Sequence, residues 1–140
     1  MLEGVGGFES LSEEQIGLLT NRASVRTYAK GAIIVSEGDE GNSLFVIQSG
    51  SVKAFLSDEN GKEVVLSTQG PGEYFGDLAL FGDEPRSASV MALQPCKVMI
   101  ITKLQLREAI KEDPEIGFSL LHGLANRVRV LTENVRTLAL

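Results

Sequence analysis

Short apolar runs separated by glycine-containing turns fill residues 31–72 and leave room for little except a small antiparallel β-structure. The runs are rich in β-branched and aromatic residues, which favour strands packed against a core. Asn60-Gly61 separates two of them and can supply the two positive φ angles of a tight hairpin turn. Many short strands with regular turns predict a jelly roll or β-roll barrel. The predicted strands are 33–35, 44–47, 52–56 and 64–66, with 89–93 and 97–101 closing the roll.

Helices are predicted on both sides of this roll. Ser12 with Gln15, and Thr102 with Gln105, have the spacing of a capping box at a helix start. Pro114 marks the start of a third helix, since proline at the first helical position loses an N–H that has no partner there. The fold class is therefore mainly β with flanking helices. We expect one domain, with an N-terminal helix at 12–21, the roll at 24–102 and C-terminal helices at 103–138.

Length and composition predict the domain number and the cellular environment of the chain. Its 140 residues are enough for one domain with its own core. The single cysteine, Cys96, lies in an apolar run, so we expect a buried thiol and a reducing, cytoplasmic environment. Neither a basic leader with an apolar run nor a membrane-length apolar segment is present in the sequence, which predicts no membrane association.

The segment from 72 to 90 has the residues that a bound phosphate needs. Gly72 and Gly76 lead into a short apolar helical turn, and a second loop then carries Arg86 and Ser87. Backbone N–H groups at a helix start carry partial positive charge, and glycine lets a ligand approach them closely. Arginine adds a permanently charged, forked donor, and serine adds a hydroxyl.

Residues 75–90, FGDLALFGDEPRSASV, resemble the phosphate-binding cassette of cyclic-nucleotide-binding domains, in the effector half of the catabolite activator protein family. The family pattern is F-G-E-L-A-L followed, after a few residues, by P-R-[STA]-A-[ST]-V. Asp77 stands where the family usually has glutamate. The resemblance implies an antiparallel β-roll with a short cassette helix and a long C-terminal helix. It also implies a non-enzymatic sensor of the transcriptional-regulator type that takes a cyclic nucleotide, with cAMP as the expected ligand and no cofactor.

The resemblance assigns roles to particular residues. It places Gly76 and Asp77 at the ribose, Leu78 and Ala79 as backbone contacts, and Arg86 and Ser87 at the cyclic phosphate. Two adjacent hydroxyl residues of the long helix read adenine in the best-matched regulators. Leu131 and Thr132 occupy those positions here, so that Thr132 is either a base contact or an exposed helix residue. The expected ligand-binding residues are Gly76, Asp77, Leu78, Ala79, Arg86, Ser87, Ala88 and Thr132.

The last helix carries a narrow apolar stripe. Its residues alternate at spacings of three and four, which is the seam of a two-helix coiled coil rather than a broad helical face. In the family the long helix pairs with its copy, so we expect a homodimer. The alternative is that the stripe packs on the chain's own roll. The seam consists of Leu121, Leu124, Val128, Leu131, Val135 and Leu138.

Other functions receive less support from the sequence. The lone His122 gives no converging metal-ligand set, and no hydroxyl or thiol nucleophile has a base partner at recognisable spacing, so we expect neither a metal site nor catalysis. The net charge of −6 and the end of the chain at Leu140 predict no DNA binding by this chain alone. It is either a free-standing sensor or the effector half of a longer regulator. Two other possibilities are sensing of cGMP or a cyclic dinucleotide, and a module retained only for dimerisation, against which Arg86 and Ser87 argue.

Overall fold

The computed structural model describes residues 12–76, 82 and 84–140 as a β-roll flanked by helices. All of the strand pairings are antiparallel. In chain order the described elements are α1 (Glu13–Thr20), β1 (Ser24–Tyr28), β2 (Ile33–Val35), β3 (Ser43–Ser49), β4 (Val52–Ser57), β5 (Glu63–Gln69), β6 (Tyr74–Phe75), β7 (Ser89–Ala92), β8 (Cys96–Thr102), α2 (Lys103–Glu112) and α3 (Glu115–Ala139).

The strands form two four-stranded sheets, with the orders β1-β8-β3-β6 and β2-β7-β4-β5. Neighbours in a sheet are mostly distant in sequence, as in a roll whose chain crosses between sheets. The six strands predicted from the sequence are all present. Sequence reasoning did not name β1 as a strand, because most of its residues are polar and exposed, or β6, because it is only two residues long.

Strand β3 is buried on both faces and divides the core into two layers. Leu44 and Val46 point toward the helices, where they pack with residues of α1, α2 and α3. Phe45 and Ile47 point the other way, into the space between the two sheets. Alternate side chains of a strand lie on opposite faces, so a strand covered on both sides becomes a continuous apolar run.

Local sequence signals explain the helix starts. The capping boxes predicted at Ser12 and Thr102 are both formed, with Gln15 and Gln105 as the returning side chains. The third helix begins at Glu115, directly after Pro114, whose backbone is already helical. No helix among the described residues has the length and apolarity needed to cross a bilayer.

The hairpin between β4 and β5 corrects one expectation. Gly61 has a φ of 82°, but no non-glycine residue described has a positive φ, so Asn60-Gly61 is not a turn with two such residues. Instead, Asp58 N–H bonds Lys62 O at 2.9 Å and Gly61 N–H bonds Asp58 O at 3.1 Å. The Asp58 carboxylate also accepts from Asn60 N–H and Lys62 N–H, at 2.9 and 2.8 Å. These bonds stabilise a longer three-residue loop in which only the final glycine needs the left-handed region.

Helix α3 has two apolar stripes on different faces. The first is buried against the roll and α2 and includes Ile116, Leu120 and Gly123. The second is the predicted seam, whose members are mostly exposed; Val128 and Leu131 are 62% and 63% exposed. The seam therefore does not pack on the chain's own roll, which excludes the alternative considered for it.

Candidate functional site

A cavity of about 170 Å³ opens beside the phosphate-binding cassette, between the β4–β5 hairpin and the start of β7. Its walls are largely apolar, with two arginines, two serines and one glutamine among the lining side chains. The lining residues are Val35, Ala54, Leu66, Ser67, Gln69, Phe75, Gly76, Arg86, Ser87, Ala88, Val90 and Arg127.

Arg86 is the buried cation of this site. It is 7% exposed, and no other charged side chain in the described part of the chain is buried. Its guanidinium donates to Gly76 O at 3.0 Å and to Ser43 O at 3.1 Å, and lies 5.4 Å from the centre of the Phe45 ring. Its backbone is held by Asp39, whose carbonyl accepts from Arg86 N–H at 2.7 Å. Arg86 is therefore a buried residue of the site and not an exposed surface cation.

Gly76 is a glycine because the guanidinium lies against it. Its φ is 90°, in the left-handed region that side chains disfavour. A Cβ there would lie 2.6 Å from Arg86 Nη1 and 2.8 Å from Ser43 O. The sequence predicted that glycine here lets a ligand approach closely; in this structure the group that lies against Gly76 is Arg86.

The other cassette residues divide into described and undescribed ones. Ser87 is exposed and Ala88 is half-buried, and both line the cavity beside Arg86. Asp77, Leu78 and Ala79, together with the predicted short cassette helix, lie outside the residues that the structure describes.

Arg127 is a cavity residue that sequence reasoning missed. Its guanidinium donates to Tyr74 O at 3.0 Å and lies 4.5 Å from the centre of the Tyr74 ring. It extends the buried stripe of α3 by one turn beyond Gly123. The signal was available, because an arginine that continues a buried stripe must reach a polar partner.

Gln69, at the end of β5, was also missed. Its amide nitrogen donates to Tyr74 O at 3.0 Å. Its amide oxygen is shielded from solvent and accepts no hydrogen bond from any described residue. An unpaired buried acceptor of this kind costs about 1–3 kcal/mol. Nothing in the sequence distinguishes Gln69 from other polar residues at strand ends.

The predicted base-reading residues lie away from the cavity. Thr132 is exposed, and its hydroxyl donates to Val128 O one turn earlier, at 2.9 Å. Leu131 is exposed as part of the seam, and neither residue is among those that line the cavity. Thr132 follows Arg127 by five residues, which is about 7.5 Å along a helix.

This arrangement is built to hold an anion with an apolar body. Two guanidinium groups lie on the cavity wall, and the rest is mostly aliphatic or aromatic. No cluster of three or more potential metal ligands occurs in the described ranges, and His122 is exposed on α3. Cys96 is a buried core residue, with Sγ 3.2 Å from Ser51 O.

Comparisons with known proteins agree with this geometry. The family model described as "Cyclic nucleotide-binding domain" matches residues 25–113. The CRP-like cAMP-activated global transcriptional regulator of Mycobacterium tuberculosis is 30% identical over 138 residues, covering 99% of this chain and 62% of the relative. The chain thus spans somewhat less than two thirds of that regulator.

Solved structures give the same assignment. The catabolite activator protein of Thermus thermophilus superposes with a TM-score of 0.85 at 29% identity, covering 96% of this chain and 63% of the other. The regulatory domain of Toxoplasma gondii PKA, crystallised with cAMP, has a TM-score of 0.76 at 25% identity, covering 90% of this chain and 47% of the other. Because this family model matches more than half of its length, the chain belongs to the cyclic nucleotide-binding domain family.

Proposed function

We propose that this domain binds cAMP in the cavity beside Arg86 and acts as the sensor of a transcriptional regulator. The observation that carries the proposal is the buried guanidinium of Arg86 on the cavity wall, held by two backbone carbonyls and the Phe45 ring. Similarity to a cAMP-activated transcriptional regulator and to a regulatory domain crystallised with cAMP supports cAMP as the ligand and transcription as the output.

The phosphate is assigned to Arg86 and Ser87, which are adjacent on the cavity wall. A permanently charged guanidinium in a site shielded from solvent forms stronger hydrogen bonds to an anion than it would in water. Gly76 and Ala88 line the same region, and Asp77, Leu78 and Ala79 are proposed to contact the ribose and phosphate as in the family. The cavity of about 170 Å³ opens to solvent, so part of a bound nucleotide can extend beyond its walls.

Arg127 is proposed to connect the cavity to the long helix. It lines the cavity and reaches back to the carbonyl and ring of Tyr74, so a change in the cavity wall acts directly on α3. The exposed seam of the same helix is proposed to form the homodimer. A ligand that binds one arrangement of roll and helix more tightly shifts the population toward it, with couplings of about 1–3 kcal/mol typical of such switches.

Titration calorimetry with cAMP tests the proposal. Wild type should bind, and Arg86→Ala should bind at least about tenfold more weakly, because charge-assisted hydrogen bonds contribute about 1.5–3 kcal/mol. Arg107→Ala is the matched control, since it removes the same charge from an exposed position on α2. Ser87→Ala is a milder variant that leaves the buried contacts of Arg86 in place. If Arg86→Ala binds as well as wild type, the phosphate assignment fails.

The variant Asp77→Glu tests whether the ligand is cAMP or another cyclic nucleotide. If the ligand is cAMP, restoring the family's usual side chain should keep binding or tighten it by up to one hydrogen bond, about 0.5–1.5 kcal/mol. Parallel titrations use cGMP, 2′-deoxy-cAMP and a cyclic dinucleotide. If wild type binds only the dinucleotide and Asp77→Glu weakens that binding, the aspartate is part of a site for a ligand other than cAMP. No binding to any of them would favour the dimerisation module.

A further inference from the structure

We propose that Gln69 is a specificity-determining residue, whose amide oxygen accepts a hydrogen bond from an N–H or O–H group of the bound nucleotide. The proposal rests on the proposed function, because it assumes that a cyclic nucleotide occupies the cavity that Gln69 lines. The carrying observation is that Gln69 Oε1 lacks a hydrogen-bond partner among the described residues, although it is shielded from water.

The orientation of the Gln69 amide is fixed by its neighbour. Tyr74 O is a carbonyl and can only accept, so the amide nitrogen of Gln69 must face it, as its 3.0 Å bond shows. Rotating the amide by half a turn would bring two carbonyl oxygens together. Oε1 is therefore held as the unpaired atom, and a partner for it must be a donor.

Tyr74 O also accepts a hydrogen bond from helix α3. The same carbonyl accepts from Arg127 at 3.0 Å, so β5, β6 and α3 meet at one oxygen atom. A carbonyl has two lone pairs and can accept both donors at once. Gln69 is thus positioned by the same contact that connects Arg127 to the cavity wall.

A ligand donor would have an advantage at this atom. Hydrogen bonds usually contribute little net free energy because each partner gives up water. Oε1 is already shielded from water, so a donor that reaches it displaces none there. Oε1 is closed to solvent in this structure, so a ligand donor reaches it when binding shifts the β5 wall that carries Gln69.

Cyclic AMP offers two groups of the required chemistry, the ribose 2′-hydroxyl and the exocyclic amine of the base. The test titrates wild type, Gln69→Met and Thr68→Val with cAMP, with 2′-deoxy-cAMP and with the 3′,5′-cyclic monophosphate of purine riboside, which lacks the amine. Methionine keeps the unbranched shape of glutamine without its acceptor. Thr68 is the control, because it is the neighbouring residue of β5, is exposed and is not among the residues that line the cavity.

Gln69→Met should lower the preference of wild type for cAMP over one of the two analogues by about three- to tenfold, the equivalent of one hydrogen bond. Thr68→Val should keep the preference of wild type. The analogue concerned identifies the donor as sugar or base. Circular dichroism checks folding, and Gln69→Leu replaces the methionine variant if that one does not fold.

Three results overturn the assignment. If Gln69→Met keeps the full preference, or if wild type binds cAMP and both analogues equally, Gln69 reads no donor while the proposed function stands. If wild type binds none of the three compounds, the proposed function fails and the role of Gln69 fails with it.

Discussion

Both halves of helix α3 carry an apolar stripe, but the stripe of the first half is buried and that of the second half is exposed. In the first half, Ile116 and Leu120 are at most 3% exposed and belong to the core between the helices and the roll. In the second half, Leu131 and Val135 are each 63% exposed. Arg127 lies between the halves and is tied to Tyr74.

One helix can thus carry two stripes with separate tasks. A fold needs the first stripe, because burying it stabilises the single chain. The second stripe contributes nothing to that core, and a row of exposed leucines and valines is a feature of interaction surfaces. The proposed cavity contact and most of the proposed dimer seam lie beyond Gly123, the last buried residue of the helix.

The largest contrast is expected in the stability of the chain. Leu120→Ala should lower the free energy of unfolding by about 2–5 kcal/mol, because it opens a cavity in a close-packed core. Leu131→Ala should change the stability of the monomer by no more than about 0.5 kcal/mol. Denaturant unfolding at two protein concentrations measures both, since only a contribution from assembly depends on concentration. Equal losses in the two variants would show that the seam packs within the chain.

Dimer formation, unlike stability, is expected to depend on the second half of α3. Val128→Asp places a charge in the seam and should weaken the dimer at least about tenfold while leaving the monomer folded. Light scattering should give twice the chain mass for wild type at micromolar concentration and the chain mass for the variant. Asn126→Asp is the matched control, because it adds the same charge on α3 outside the seam. A monomer mass for wild type throughout would contradict the proposed dimer.

Much of the fold could be predicted from the sequence, but less of the site. The strands, the capping boxes and the cassette depend on residues close together in the chain, and short-range patterns indicate them. The contacts of Gln69 and Arg127 with Tyr74 join three distant elements, and only the closed roll brings them together. The buried position of Arg86 depends in the same way on Ser43 and Phe45, which are about forty residues earlier.

Arg127 marks the boundary between the halves, and its replacement should have an intermediate effect. Arg127→Met keeps much of the aliphatic stem but removes the bond to Tyr74 O and the cation over the ring. We expect a loss of about 1 kcal/mol in unfolding free energy, since the side chain is only partly buried. Hydrogen exchange should locate the change around Tyr74 and the second half of α3. Arg129→Met, on the exposed side of the same helix, should leave exchange there unchanged.

The smallest effect is expected at Thr132, where only ligand binding should respond. Its hydroxyl bonds Val128 O on an exposed surface, so Thr132→Val should change the unfolding free energy by less than about 0.5 kcal/mol. Thr137→Val removes the same kind of bond, to Glu133 O, one turn from the end of the helix and is the matched control. If Thr132 reads the base of the nucleotide, its variant alone should bind cAMP about three- to tenfold more weakly in calorimetry. For this to happen, the nucleotide must span the distance from Arg86 to a residue about 7.5 Å beyond Arg127, or α3 must move toward it. Identical cAMP affinities for the two variants would assign Thr132 to the exposed surface and leave base recognition to the residues of the cavity wall.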